Sequence, residues 1–500
     1  MIFKNKIRSH FKVKTTILFA VLFSFTSCGN KDNTEKSILL YCAAGVKPAV
    51  EKIAKEYYKE YGVRVDLQYG GSGTLLSNLR VAKQGDLYLA GDKSYIDEGI
   101  AYGFIKETQP LAFMKPVIAV AKGNPKGIQS VEDLIKKDIK IAIANPDAAS
   151  IGRLTKKVLS KSQQWEPLKK KATVLMPTVN EVANSIKIGA IDAGIIWDAT
   201  ANQYKELDFI TVPAFSKSVK NITVGVLKYS KQPTETLKFL RYLSARDKGL
   251  IIFKELGYQP IKGDQWSENP ELLFFSGGVN RLAIDKTIQS FEKREGVEVT
   301  RVYNGCGILV SQMKAGQKPD AYLSCDVSFM TQVEDRFTDI TDISKTGIVI
   351  ATKKGNPKNI KNLDDLTKEG LQIGICNHRQ SALGSLTKRL LEGKGIWKDV
   401  YKNVRSQTPT ADLLVNQIRT GSLDAVIVYN ANVSQVKDKL TIIKLNDPQA
   451  TALQNYGISK NSDHQYLMKR LLNALTDAQS KKNYLELGFS WEFNNPKIKE

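Results

Sequence analysis

"YGGSGTL" fills positions 69–75 and "YNGCGIL" fills 303–309, a step of 234 from Ser72 to Cys306. A glycine-rich turn written twice with the same flanks points to duplication of a whole unit, so the neighbouring sequence should repeat as well. It does. "KEYYKEYGVRVDLQYGGSG" answers to "QSFEKREGVEVTRVYNGCG", "GDLYLAGD" to "PDAYLSCD", "AKGNPKGIQSVEDL" to "KKGNPKNIKNLDDL", and "IKIGAIDAGIIW" to "IRTGSLDAVIVY". The step from Gly257 to Gly488 is 231, so the copies stay collinear to the end. Two homologous units are predicted, 37–262 and 271–495, joined by the polar "KGDQWSENPE".

Within each unit short β-rich runs alternate with helical patterns, which predicts an α/β fold with largely parallel sheets. In the first, "SILLYCAA", "VRVDLQY", "DLYLAGD", "PVIAVAKGNP", "IKIAIANP" and "AGIIWDA" read as strands. Pro48 opens a helix whose Val50, Ile53, Ala54, Tyr57 and Tyr61 share a face, and further helices are expected at 154–160 and 179–188. A unit of this length is large for one sheet. Two lobes per unit are expected, with the chain crossing between them near 114–118 and 210–224.

With 42% hydrophobic and 25% charged residues over 500 positions, the chain is ordinary globular material. Its start is different. Lys4, Lys6, Arg8, Lys12 and Lys14 precede an apolar run from Thr15 to Ser27, the pattern of a secretory signal over 1–27. The run ends in "FTSC", which resembles a bacterial lipobox and implies Cys28 as a lipidated first residue, held to a membrane of the cell envelope by its lipid anchor. Five units of the formal charge of +22 belong to the signal, and 22 − 5 leaves +17. The remaining lysines are scattered, with no arginine-rich or aromatic-interleaved stripe. Nucleic acid is therefore not expected as a partner, and the charge reads as a solvated surface that steers small anions.

"GGSG" between a strand and a helix offers close backbone approach, positive φ, and the unpaired N–H groups of a helix start. Ser72 adds a hydroxyl. It lacks the Gly-Lys-Ser/Thr ending of a P-loop, and a serine there also reads as a plain N-cap. "YCAAGVKP", "NPDAASIG" and "MPTVNEV" also lead strands or loops into helix starts, and open α/β sheets bind ligands beyond the carboxyl ends of their strands.

On "YGGSGTL", "GDLYLAGD", "NPDAASIG" and "IKIGAIDAGIIW", twice over, the chain resembles the molybdate- and tungstate-binding proteins of ABC importers. That resemblance implies two tandem type II periplasmic-binding-protein units, each of two α/β lobes with a cleft between them. It also implies a tetrahedral oxyanion held by hydroxyls and backbone N–H groups, an ABC permease as partner, no cofactor and no enzymatic activity. Carried over by position, it implies Ser72 as hydroxyl and amide donor and Ile151 and Val179 as backbone donors. Trp197 stands in place of a tyrosine and Gly45 in place of a serine. Ala149 and Val179 stand where archaeal relatives carry carboxylates, so the anion is expected to stay four-coordinate. In the second unit the same alignment gives Gly278, Cys306, Leu383, Ala411 and Tyr429, with Ser381 nearby.

Cys306, Cys325 and Cys376 all end predicted strands, with His378 two residues beyond the last. Three readings stand open: a soft-metal or thiophilic site made with His378, a disulfide between two of the three, and small buried thiols without special chemistry. A different class, an enzyme with Cys306 as nucleophile and His378 as base, lacks any third residue to orient it. The aspartates repeated in both copies, Asp92 and Asp326, Asp192 and Asp424, fit capping as well as ligand work.

Overall fold

The computed structural model describes residues 37–493. The apolar run and Cys28 lie outside them. Residues from Ser37 on form one compact unit in which the repeat is visible as two similar halves.

In the first half the strand Ser37–Ala43 is flanked on both sides by parallel partners, Arg64–Gly70 and Leu87–Ala90. Its inner run is fully buried, as suits a strand with both faces covered. The following helix, Lys47–Tyr61, takes Pro48 in its first turn, where a missing N–H costs nothing, and buries Val50, Ile53, Ala54 and Tyr57 against the sheet. Gly62 ends it at φ +65° in the left-handed conformation that a side chain would resist. Six strands complete this lobe, in the order Gln259–Pro260, Ile105–Met114, Lys220–Leu227, Leu87–Ala90, Ser37–Ala43, Arg64–Gly70. The second lobe has five: Val174–Met176, Ile141–Ala144, Ala193–Trp197, Pro116–Ala121, Leu207–Ile210.

Both sheets are mixed, not largely parallel. Lys220–Leu227 runs antiparallel to both its neighbours, as does Pro116–Ala121 in the other lobe. The cause is the crossing itself. A strand that enters a sheet straight from the other lobe has no helical crossover to turn it parallel. The crossings fall at Lys115 and across 211–219, within the expected stretches. Five strands of the first half escaped the sequence reading: Ile105–Met114, Val174–Met176, Leu207–Ile210, Lys220–Leu227 and the short Gln259–Pro260.

The second half repeats this plan with one difference. Its outward crossing is a single strand of 17 residues, Phe337–Lys353, which pairs with Thr451–Ser459 in one lobe and with Ala425–Tyr429 and Leu440–Lys444 in the other. Ile348 donates its N–H to Ala450 O at 2.8 Å at the crossing, whereas Pro116, at the matching place in the first half, has no N–H to give.

The halves meet through a buried charge cluster. Glu295 is fully buried; Arg470 reaches its carboxylate at 2.5 Å, Arg241 of the first half lies 3.5 Å away, and Arg241 also donates to Glu295 O at 2.6 Å. Arg294 pairs across the same boundary with Glu107. The linker takes part as well, since Asp264 accepts the N–H groups of Tyr466 and Leu467 at 2.9 and 3.0 Å and so caps the helix Gln465–Leu475. No helix among the described residues is long and apolar enough to cross a membrane.

Candidate functional site

Four helix starts of the first half face the gap between its lobes: the 3₁₀ turn Ala44–Val46 leading into Lys47–Tyr61, and the helices Ser72–Ala82, Ser150–Leu159 and Val179–Lys187. First-turn N–H groups have no acceptor inside their own helix, so the gap is lined with donors and with positive dipole ends. The cavity they enclose is about 20 Å³, far too small for an ordinary organic ligand. Gly45, Ser72, Ile151, Val179 and Trp197 all line it, and no charged side chain does.

Ser72 is the first residue of its helix, not the cap; Gly71 is the cap, with an ordinary φ of −66°. The buried Ser72 Oγ accepts the Gly91 N–H at 3.1 Å, which leaves its own proton to donate. Glycine is needed in this turn for close approach, and positive φ plays no part. A Cβ on Gly71 would come within 2.4 Å of Ala148 O, and one on Gly73 within 2.3 Å of Asp147 O. What approaches is the backbone of the opposite lobe, and Gly73 donates its N–H to Ala148 O across the gap at 2.8 Å.

Two hydroxyls went unread in the sequence. Ser150 lines the cleft as first residue of its helix, and its Oγ lies 2.8 Å from the place a Gly91 Cβ would take. The hydroxyl one step after the helix cap in "NPDAASIG" was the available signal. Thr178 also lines the cleft, where its Oγ1 accepts the Glu181 N–H in a capping box and, like Ser72, keeps its own proton to donate. The repeated aspartates are caps or ties: Asp92 and Asp326 accept from Ser94 and Ser328 N–H, Asp192 and Asp424 from Lys140 and Gln372 N–H.

In the second half the elements superpose position by position, with one shift. The turn Gly278–Asn280 answers to Ala44–Val46, so Val279 stands opposite Gly45 and Gly278 opposite Ala44. Cys306 opens its helix as Ser72 does, Ser381 caps the helix in which Leu383 is second, Ala411 opens the next, and Tyr429 ends its strand. Tyr429 is buried and its hydroxyl has no hydrogen-bond partner.

Two of the three thiols touch. Cys306 and Cys325 lie with their sulfurs 2.6 Å apart, while Cys376 sits beside Thr408 Oγ1 at 3.8 Å, and burial pushes its thiol up to about 12. His378 turns its ring edge to Trp397 and makes no hydrogen bond to Cys306. Among the described residues no three His, Cys, Asp or Glu side chains are placed to hold a metal, so the thiol-and-histidine metal set does not form. The Cys306 and His378 enzyme pairing fails on the same geometry.

The sequence pattern of the bacterial extracellular solute-binding proteins matches residues 38–259 and, a second time, 272–490. The chain belongs to this family. As a solute-binding protein it carries two tandem units of the periplasmic-binding-protein fold, each with its cleft between two α/β lobes. It is 28% identical over 226 residues to a binding protein of Haemophilus influenzae, covering 45% of this chain and 91% of that one. It is 27% identical over 201 residues to the molybdate-binding protein ModA of Mycobacterium tuberculosis, covering 39% and 74%. Among solved structures it is similar to the periplasmic molybdate-binding protein of Azotobacter vinelandii at 18% identity and a TM-score of 0.39, covering 44% of this chain and 98% of that one.

Proposed function

We propose that this solute-binding protein is an envelope lipoprotein, anchored through Cys28, whose first unit captures a tetrahedral oxyanion, molybdate or tungstate, and hands it to an ABC permease. The observation that carries the reading is the first cleft's lining: Ser72 with a free hydroxyl proton, three helix starts beside it, and no charged side chain. Such a cleft favours a compact anion that takes hydrogen bonds from every side. It has no cation to form an ion pair and no carboxylate to join a metal's coordination sphere. The likeness to molybdate-binding relatives supports this choice of anion.

Calorimetric titration with molybdate, tungstate, sulfate and phosphate tests it. Molybdate or tungstate should bind, and Ser72→Ala should remove most of the affinity with the fold intact. Ligand at ~100 times its dissociation constant should add about 2.7 kcal/mol to the stability of the binding unit. Binding of sulfate or phosphate with no response to molybdate or tungstate would overturn the assignment.

A further inference from the structure

In the first unit the Gly91 N–H donates to Ser72 Oγ at 3.1 Å; in the second the Cys325 N–H donates to Cys306 Sγ at 3.0 Å. The hydrogen bond is the same, yet both of its residues have become cysteine. A third position has changed with them. Gly277 takes the place of Ala43, and a Cβ there would come within 2.0 Å of Cys325 Sγ and 3.0 Å of Cys306 Sγ. The first unit has a methyl at this point and no side chain at Gly91; the second gives up the methyl and houses two sulfurs. Three separate stretches of chain have thus adapted to one thiol pair, which isolated buried cysteines would not require.

We infer that Cys306 and Cys325 form a disulfide at the heart of the second cleft, which makes that cleft a thiol–disulfide site in place of an oxyanion receptor. The inference stands apart from the ligand assigned to the first cleft. Burial opposes ionisation of Cys306, but the thiol and N–H of Cys325 donate to its sulfur and hold its pKa below that of an ordinary thiol. Cys306, whose sulfur accepts both hydrogen bonds and is fully buried in the folded cleft, is the attacking sulfur while the chain is folding and an oxidant still reaches it. As a thiolate it attacks one sulfur of a small-molecule disulfide and expels the first thiolate. Cys325 then loses its proton, attacks Cys306 Sγ and expels the second. Two protein thiols become one disulfide, the oxidant is reduced to two thiols, and the two protons released are taken up by the leaving thiolates. In the oxidised form Cys306 has no hydrogen to donate, so the counterpart of the Ser72 donor is gone.

The test is refolding of the reduced, full chain in a buffer of oxidised and reduced glutathione, followed by acid quenching, alkylation of free thiols and tryptic mapping without reductant. Cys306, Cys325 and Cys376 fall on separate peptides, 302–314, 315–336 and 369–379. The first two should appear joined, lighter by two hydrogens than their sum and separated by dithiothreitol, while Cys376 is alkylated. Cys306→Ser should abolish the joined species, and Cys376→Ala should leave it unchanged. Alkylated Cys306 and Cys325 in the refolded protein, or a bridge from either to Cys376, would overturn the inference.

Discussion

Gly73 donates its N–H to Ala148 O over 2.8 Å, so the lobes of the first unit meet backbone to backbone, and Gly307 repeats the bond to Gln380 O at 3.0 Å. A methyl group on Gly73 would lie 2.3 Å from Asp147 O, a clash that exists only while the lobes are together. Gly73→Ala should therefore spare the folded lobes and penalise closure. Overpacking of this kind costs about 1–3 kcal/mol, which corresponds to roughly 5- to 150-fold weaker anion binding. Titration calorimetry beside a urea unfolding curve separates the two effects; a loss of stability equal to the loss of affinity would contradict the closure argument.

Gly45 and Trp197 behave as one substitution. A Cβ at position 45 would sit 3.1 Å from Val179 Cγ1, a tight contact, and 3.4 Å from Trp197 Cδ1, an ordinary one, so a serine there is crowded first by Val179 and has the indole as its next neighbour. Gly45→Ser alone should weaken binding. Together with Trp197→Tyr, which shortens the ring system and brings a hydroxyl, much of the loss should be recovered. A double-mutant cycle should give a coupling of about 0.5–3 kcal/mol; strict additivity would show that the two positions are independent.

Glu295 holds the joint between the units. Removing one partner of a buried ion pair leaves the others uncompensated, at a cost of about 3–5 kcal/mol. Glu295→Ala should show that loss in chemical denaturation, and both halves should feel it because Arg241 belongs to one and Arg470 to the other. A change confined to the second half would limit the cluster to a local role.

Asp198 gives a pH signature. Its Oδ1 accepts the Lys115 N–H at 3.0 Å and the Ala199 N–H at 2.8 Å, but burial outweighs these bonds and raises its pKa. The folded protein thus holds this proton more tightly than the unfolded chain. The stability it contributes is full below the unfolded value of about 3.9 and is lost as pH rises through the folded pKa. Asp198→Asn, which copies Asn430 at the matching place in the second unit, should gain on the parent protein as pH rises above about 4. Unfolding curves of both across that range decide it, and a constant gap would show that Asp198 carries no such penalty.

The duplication, the lobed α/β plan and the first cleft were legible in the sequence because each is written locally. The GGSG turn, the run ending in Trp197 and the helix starts that carry Ile151 and Val179 lie on segments whose period and punctuation announce a strand end or a helix start. Other features depend on what folding brings together. The glycines of the turn face Ala148 and Asp147, which no pattern around position 72 reveals. Cys306 finds Cys325 because the strands that lead to them flank Glu271–Gly277 on either side and Gly277 leaves room for the two sulfurs to meet, and nothing in the sequence favoured that pairing over Cys376. Arg470 reaches Glu295 across 175 positions. Ile105–Met114 and Lys220–Leu227 were missed because edge and crossing strands take their direction from the route between lobes.

The strand Phe337–Lys353 runs from one lobe into the other without a break at the crossing, its two register shifts lying earlier, at 338–344. Where the first unit has Pro116 as a break in its crossing, the second has a hydrogen-bonded beam spanning both lobes, held further by Ser490–Trp491 pairing along it. Opening the second cleft would have to bend this strand, whereas opening the first would not. Paired spin labels placed across each cleft of the same molecule should report this directly, as a distance distribution that narrows with anion in the first unit and stays fixed in the second.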